Sequence, residues 1–214
     1  MKISREGYFT IFLVNLVISA VVIGLVLLDK HSYYLVLVPL LLIELLIVYF
    51  FRDPDREIPR DEDAVVSPAD GKVVLIQPVQ DEFVGPDSIQ ISIFLSVFNV
   101  HVNRYPITGT VKLSKYVSGK FLAAFNHDAS VKNEQTVIGL EGAKGRILFK
   151  QIAGLLARRI VFYGAENIQV MRGDRCGIIK FGSRVDVILP KSVDIKVKVG
   201  DTVEGCRSTL ATFS

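Results

Sequence analysis

Two adjacent residues, Gly182 and Ser183, offer the most distinctive chemistry in this 214-residue chain. They separate two strand-like runs, Gly177-Ile178-Ile179-Lys180-Phe181 before and Arg184-Val185-Asp186-Val187-Ile188-Leu189-Pro190 after. Glycine leaves its carbonyl unhindered, and the serine that follows supplies a hydroxyl beside it. A constrained turn here can drive attack of Ser183 Oγ on the Gly182 carbonyl carbon, which would cut the chain and leave a reactive new N-terminus. Gly-Ser is also ordinary β-turn chemistry, so the dipeptide has to be weighed with its surroundings. Two acid–base groups stand in short motifs elsewhere: Asp70 in Ser67-Pro68-Ala69-Asp70-Gly71, and His101 in Val100-His101-Val102-Asn103-Arg104. Alone, Asp70 reads as a turn aspartate, His101 as a hydrogen-bonded structural histidine and Arg104 as a surface or headgroup-facing charge.

The elements that must carry these groups fall into two parts. From Phe9 to Leu28 the residues are almost all apolar, interrupted by Thr10, Asn15 and Ser19, about the length that crosses a bilayer core. A second such stretch, Tyr33 to Phe51, follows after only Asp29-Lys30-His31-Ser32. Together they predict a transmembrane two-helix hairpin with both ends in one compartment. Lys2 and Arg5 precede the first span, and Arg52, Arg56 and Arg60 follow the second, against a lone Lys30 in the link. The positive-inside rule therefore puts the rest of the chain on the cytoplasmic side of the cell membrane. A cleaved secretory signal is the competing reading of the first span, but no small-residue cleavage site follows it and a second span comes at once. A hydrophobic content of 50% and a mean hydropathy of +0.41 agree, with the excess concentrated in the spans. The net charge of +3 gives no footprint for nucleic acid and suits a domain lying on an anionic membrane surface. Cys176 and Cys206 lack metal-ligand spacing and read as free buried thiols, and no metal site or nucleotide loop is expected.

After residue 51 the pattern changes. Residues 52–63 form a charged, proline-punctuated linker, and from 64 to 214 brief apolar and β-branched runs recur between Gly, Asp and Asn. The runs are Val73 to Ile76, Ile89 to Leu95, Thr110 to Tyr116, Gln135 to Leu140, Arg146 to Ile152, Ile160 to Phe162, Gly177 to Phe181, Val185 to Leu189, Ile195 to Val197 and Ser208 to Thr212. Helical periodicity is scarce, apart from a short segment around Ala153 to Arg159. The prediction is one mainly β domain with its own core. Ser67 to Val73 and Val199 to Val203 look like the paired turn motifs of biotinyl/lipoyl-type folds. The expected architecture is thus a biotinyl/lipoyl-like sandwich or barrel after the N-terminal transmembrane hairpin of residues 1–51.

Six motifs occur in order: Phe51-Arg52-Asp53-Pro54, Ser67-Pro68-Ala69-Asp70-Gly71, Phe94-Leu95-Ser96 with Val100-His101-Val102-Asn103-Arg104, Asn133-Glu134, Gln151-Ile152-Ala153-Gly154 and Phe181-Gly182-Ser183-Arg184. Together they resemble the phosphatidylserine decarboxylase proenzymes of the short, membrane-anchored type, over nearly the whole chain from the hairpin onward. The resemblance implies self-cleavage at Gly182/Ser183 into a β chain of residues 1–182 and an α chain of residues 183–214. Attack by Ser183 gives an ester, β-elimination releases Gly182 as a C-terminus, and the remaining dehydroalanine hydrolyses to a pyruvoyl group. That group forms a Schiff base with the amine of a serine headgroup and accepts the electrons released as carbon dioxide leaves, which is electron-sink catalysis by a cofactor made from the chain. A proton must then return to the α-carbon, and His101 is the expected donor.

One departure stands out. His101 matches the first histidine of a His-x-x-His pair in longer relatives, where the second belongs to an Asp-His-Ser arrangement that activates the serine. Asp70 matches the aspartate and Ser183 the serine, but Arg104 occupies the middle position, as it does in short members. His101 serving both steps and a contribution from His127 are the two alternatives. The implied partners are a phospholipid with a serine headgroup, the membrane, and the α and β chains of one precursor, with a homo-oligomer compatible with all three. Two other readings stay open at this point: decarboxylation of an archaeal ether lipid with the same headgroup, and a non-enzymatic membrane-anchored biotinyl/lipoyl-like carrier. The second lacks the methionine-flanked lysine such carriers display.

Overall fold

A computed structural model describes residues 2–28, 33–122, 129–154, 159–180 and 182–214, the side chains at 33 and 34 excepted. The chain divides into two compact units, Met1–Asp55 and Arg56–Ser214.

The first unit holds helices α1 (Arg5–Leu27) and α2 (Tyr33–Phe50). Its ends are stitched together: Ile3 bridges Arg52, Ser4 N donates to Phe51 O at 2.8 Å, and Asp53 N donates to Lys2 O at 2.8 Å. The chain therefore returns to the side from which it started. The close approach requires Gly7, because a Cβ there would lie 2.6 Å from Phe51 Cβ. α1 is long and apolar enough to cross a membrane, and most of its large apolar side chains face outward. α2 covers the second apolar stretch read from the sequence up to Phe50. The link with Lys30 and His31 lies outside the described residues.

The second unit is mainly β. Its strands are β1 (Ala64–Val66), β2 (Gly71–Asp81), β3 (Gly85–Leu95), β4 (Val102–Arg104), β5 (Gly109–Val117), β6 (Gln135–Gly142), β7 (Gly145–Ile152), β8 (Ile160–Phe162), β9 (Gln169–Val170), β10 (Arg175–Ile179), β11 (Ser183–Pro190), β12 (Asp194–Ile195), β13 (Thr202–Val203) and β14 (Thr209–Thr212). A single helical turn, α3 (Ala129–Lys132), precedes β6. Among the described residues the strands build a curled eight-stranded antiparallel sheet, ordered β13-β2-β3-β11-β7-β6-β5-β9, and two three-stranded sheets, β1-β14-β12 and β4-β10-β8. Register shifts within β2 and β5 bend the large sheet.

Alternation along the strands builds the core. Val185, Val187 and Leu189 of β11 meet Ile91, Ile93 and Leu95 of β3 and Ile147 and Phe149 of β7 in one buried cluster. Each such side chain contributes about 1.5–3 kcal/mol on burial. Each of the ten runs read from the sequence overlaps a strand, although Lys196 and Val197 lie beyond β12 and Lys180 beyond β10, whereas β1, β4, β9 and β13 went unread: they are two or three residues long, and only pairing partners define them. The expected helix near Ala153 to Arg159 lies mostly outside the described residues, and Ala153, Gly154 and Arg159 are not helical. Part of the predicted linker is strapped down, with Arg172 donating to the carbonyls of Pro59 at 2.8 Å and Ala64 at 2.9 Å.

Candidate functional site

Gly182 and Ser183 sit where β10 hands over to β11. Gly182 has φ +62°, the left-handed conformation that a side chain disfavours, so the turn ahead of Ser183 depends on glycine. Ser183 opens β11 opposite Leu95 of β3, and Arg184 next to it pairs with Ile152 of β7, which makes this the interior of the large sheet. Ser183 is fully buried, and its Oγ has no hydrogen-bond partner among the described residues. Phe181 lies outside them.

His101 is brought to the same turn by the chain leaving β3. After Leu95, Ser96 N and Oγ bond to Asn99 Oδ1 at 2.9 and 2.8 Å, and this turn sends the chain back as β4. There Ile179 N approaches His101 O at 3.4 Å. Residues 95–101 therefore flank the Gly182 turn on both sides, through Leu95 at Ser183 and His101 at Ile179. His101 is fully buried, with Nδ1 2.9 Å from Asn99 O. A proton on Nδ1 satisfies that carbonyl and leaves the lone pair on Nε2.

A polar layer separates the two sheets at this point. Gln151 pairs with Val185, so it shares a face with Val185 and Ser183. From that face Gln151 Nε2 reaches across to Asn103 Oδ1 on β4 at 2.8 Å. It passes over Gly177 of β10, where a Cβ would stand 3.0 Å from the Gln151 amide and 2.1 Å from Val161 O. His101 stands at the entry to β4, two residues before Asn103. Ser183, Gln151, Asn103 and His101 are all fully buried in an otherwise apolar core.

Asp70 occupies a flank. It precedes Gly71 at the start of β2, two strands from Ser183 across β3, a separation of roughly 10 Å. Its Oδ1 accepts from Gly205 N at 2.7 Å and its Oδ2 from Arg56 Nη2 at 2.8 Å, and Arg56 also grips Glu204 at 2.6 Å. Ser183 is therefore not hydrogen-bonded to Asp70. Arg104, read from the sequence as an exposed charge, is buried: its backbone N bonds to Pro68 O at 2.9 Å and its Nη1 to Gly173 O at 3.1 Å. Cys176 and Cys206 are free and buried, and burial pushes both thiols up from their ordinary range. His127 lies outside the described residues.

The opposite face of β11 carries a network that sequence reasoning missed. Arg184 Nε bonds to Asp186 Oδ1 at 2.6 Å and its Nη2 to Ser92 Oγ at 2.8 Å. Asp186 Oδ2 accepts from Ser130 Oγ of α3 at 2.6 Å and from Gln90 Nε2 at 3.2 Å. Nearby, Asn133 bonds to Leu122 N and O and, at 2.7 Å, to Ala153 O. The only signal for Arg184 and Asp186 was their placement in a run of buried β-branched residues. A cleft of about 590 Å³, lined by Asp63, Thr108, Lys144 and Arg172 among others, opens at the Gly142–Gly145 end of the β6–β7 hairpin. That is roughly 20 Å along β7 from the Ser183 end, so it is separate from this site.

A family model described as phosphatidylserine decarboxylase matches residues 43–211. A "Phosphatidylserine decarboxylase proenzyme" of Geobacter metallireducens is 45% identical over 205 residues, covering 95% of this chain and 93% of the relative. Proteins with the same description from Chlorobium phaeobacteroides and Cytophaga hutchinsonii are 54% and 42% identical. The first covers 72% of each chain, and the second covers 100% of this chain and 99% of its own.

Proposed function

Because the chain belongs to the phosphatidylserine decarboxylase family, we propose that Ser183 is the residue converted to the pyruvoyl group that such proenzymes carry, by cleavage after Gly182. The protein is a carboxy-lyase acting on phosphatidylserine, with phosphatidylethanolamine as product, and the carrier reading falls away. The observation that carries the assignment is the left-handed Gly182 ahead of a buried Ser183 whose Oγ has no partner among the described residues. With no donor bonded to it among the described residues, the oxygen keeps its lone pairs for the neighbouring carbonyl, and its proton must pass to a base as it attacks.

The pyruvoyl group supplies a ketone that binds the substrate amine and takes up the electron pair left by carbon dioxide. The residues around Ser183 fit it: the position is fully buried, neutral polar side chains lie on the adjoining strands, and the backbone of His101 pairs with the strand that leads into the Gly182 turn. His101 returns the proton to the α-carbon once its Nε2 lone pair has taken one up to form the imidazolium, its ring oriented by the bond from Nδ1 to Asn99 O. Asp70 acts from the flank as a positioning residue. Held by Arg56 and Gly205, it fixes the entry to β2, where Gly71 packs against Phe94 O one residue from the partner of Ser183.

Cleavage would give chains of residues 1–182 and 183–214 that stay together. β11 is paired with β3 from Ser183 to Pro190 and with β7 from Arg184 to Ile188, so the shorter chain leaves only if the sheet comes apart. The paired turns at Ser67–Val73 and Val199–Val203 suit a biotinyl/lipoyl-like arrangement: Thr202–Val203 pairs with Gly71–Lys72 in β13 and β2. The hairpin anchors the enzyme, and the arginines after α2 favour a cytoplasmic catalytic unit. Ser183→Ala tests the central assignment. It should yield one uncut chain without decarboxylase activity, and normal fragments from that variant would refute it.

A further inference from the structure

We infer that the Asn103–Gln151 amide pair binds the carboxylate of the serine headgroup, an inference that rests on Ser183 being the pyruvoyl precursor. The two amides satisfy each other once, through Gln151 Nε2 and Asn103 Oδ1 at 2.8 Å. That leaves Asn103 Nδ2 and Gln151 Oε1 buried without a hydrogen-bond partner among the described residues. Turning both amides over only exchanges the roles, so in either setting the pair presents one N–H donor and one C=O acceptor. Leaving two buried polar atoms unsatisfied is costly, and a core position can be filled by apolar residues instead. Such a pair is retained for a group that enters the site.

Position identifies the group. Gln151 lies on the face of the large sheet that carries Ser183, opposite Val185 two residues along, and Asn103 lies opposite Gly177 on β4, two residues after His101. The bare backbone of Gly177 lets the Gln151 amide lie between them. A substrate whose amine is bound at residue 183 would have its carboxylate within one side-chain length of these amides. The headgroup carboxylate needs a donor, and the amide N–H provides one without charge. This suits the reaction: a guanidinium would stabilise the carboxylate most in the ground state, before its charge is delocalised, and would raise the barrier to losing carbon dioxide. The neutral pair holds the carboxylate in register and releases it without that penalty.

The test compares two lipids that differ by this carboxylate. Purified protein is mixed with phosphatidylcholine nanodiscs doped with phosphatidylserine or with phosphatidylethanolamine and treated with borohydride. The lipid amine trapped on the C-terminal fragment is then measured against lipid mole fraction. In Gln151→Met and in Asn103→Asp, cutting should occur, and trapping of phosphatidylserine should fall relative to that of phosphatidylethanolamine in the same variant. Half-maximal trapping of phosphatidylserine should need about tenfold more lipid, and Asn103→Asp should show the larger effect because it sets a carboxylate against a carboxylate. Equal shifts for the two lipids, or no shift, would overturn the inference and leave the pair a structural one. Loss of cutting in both variants would also overturn it, assigning the pair to the cleavage step. Wild-type protein that stays uncut, or that traps lipid away from residue 183, would instead overturn the reading of Ser183.

Discussion

Removing one member of the Arg184–Asp186 pair should harm the protein more than removing both. Asp186 is fully buried and Arg184 is 1% exposed, so neither charge has water to fall back on. Asp186→Leu leaves the guanidinium with Ser92 Oγ as a neutral partner and takes the acceptor from Ser130 and Gln90. Breaking a buried pair in this way costs about 3–5 kcal/mol, whereas replacing both partners by apolar residues of similar volume is often close to neutral. At roughly 2–4 °C per kcal/mol for a chain of this size, the single variant should lose about 6–20 °C in Tm. The double variant Arg184→Met/Asp186→Leu should recover at least half of that loss. Thermal unfolding followed by near-ultraviolet circular dichroism in detergent, on a Ser183→Ala background that keeps one chain, gives the comparison. A double variant as unstable as the sum of the two singles would refute the coupling, because independent sites add.

Three further outcomes follow from the same geometry. His101→Ala should still cut and trap substrate amine yet release little carbon dioxide; comparing fragment formation with gas release decides it, and near wild-type turnover would remove His101 from the mechanism. Gly177→Ala sets a Cβ 2.1 Å from Val161 O, so β8 and β10 must part; a loss of about 3 kcal/mol and slowed cutting should show in melting curves and gels. Burial raises the Cys176 and Cys206 thiols above the ordinary value, so above about pH 9 the unfolded chain releases protons that the folded chain keeps. Stability must then fall as pH rises, by up to about 1.4 kcal/mol per pH unit for each thiol, and Cys176→Ala should flatten the decline seen in melts between pH 8 and 10.

Much of this arrangement was legible in the residues because it is written in local patterns. Brief apolar, β-branched runs marked β3, β7 and β11, and Gly182-Ser183 between two of the runs marked a constrained turn, where the structure gives Gly182 a φ of +62°. What escaped was set by partners distant in sequence. β4 is three residues long and exists because β10 lies beside it, yet it delivers Asn103 to Gln151 across a sequence separation of 48. Nothing local to Asp70 announced that Arg56 and Gly205, 14 and 135 residues away, hold its carboxylate. Arg104 looked exposed because arginine usually is, and here the carbonyl of Gly173 receives it in the interior. Nothing local in Arg184-Val185-Asp186 announced an ion pair on the far face of the strand that carries the reactive serine.

Intact mass spectrometry of the purified wild-type protein under denaturing conditions bears most directly on Ser183. The account predicts two chains, residues 1–182 ending in an ordinary glycine carboxylate and residues 183–214 beginning with a pyruvoyl group that resists N-terminal sequencing until it is reductively aminated. A single uncut chain in active enzyme, or a C-terminal fragment that begins with a free serine amine or at any other residue, would contradict it.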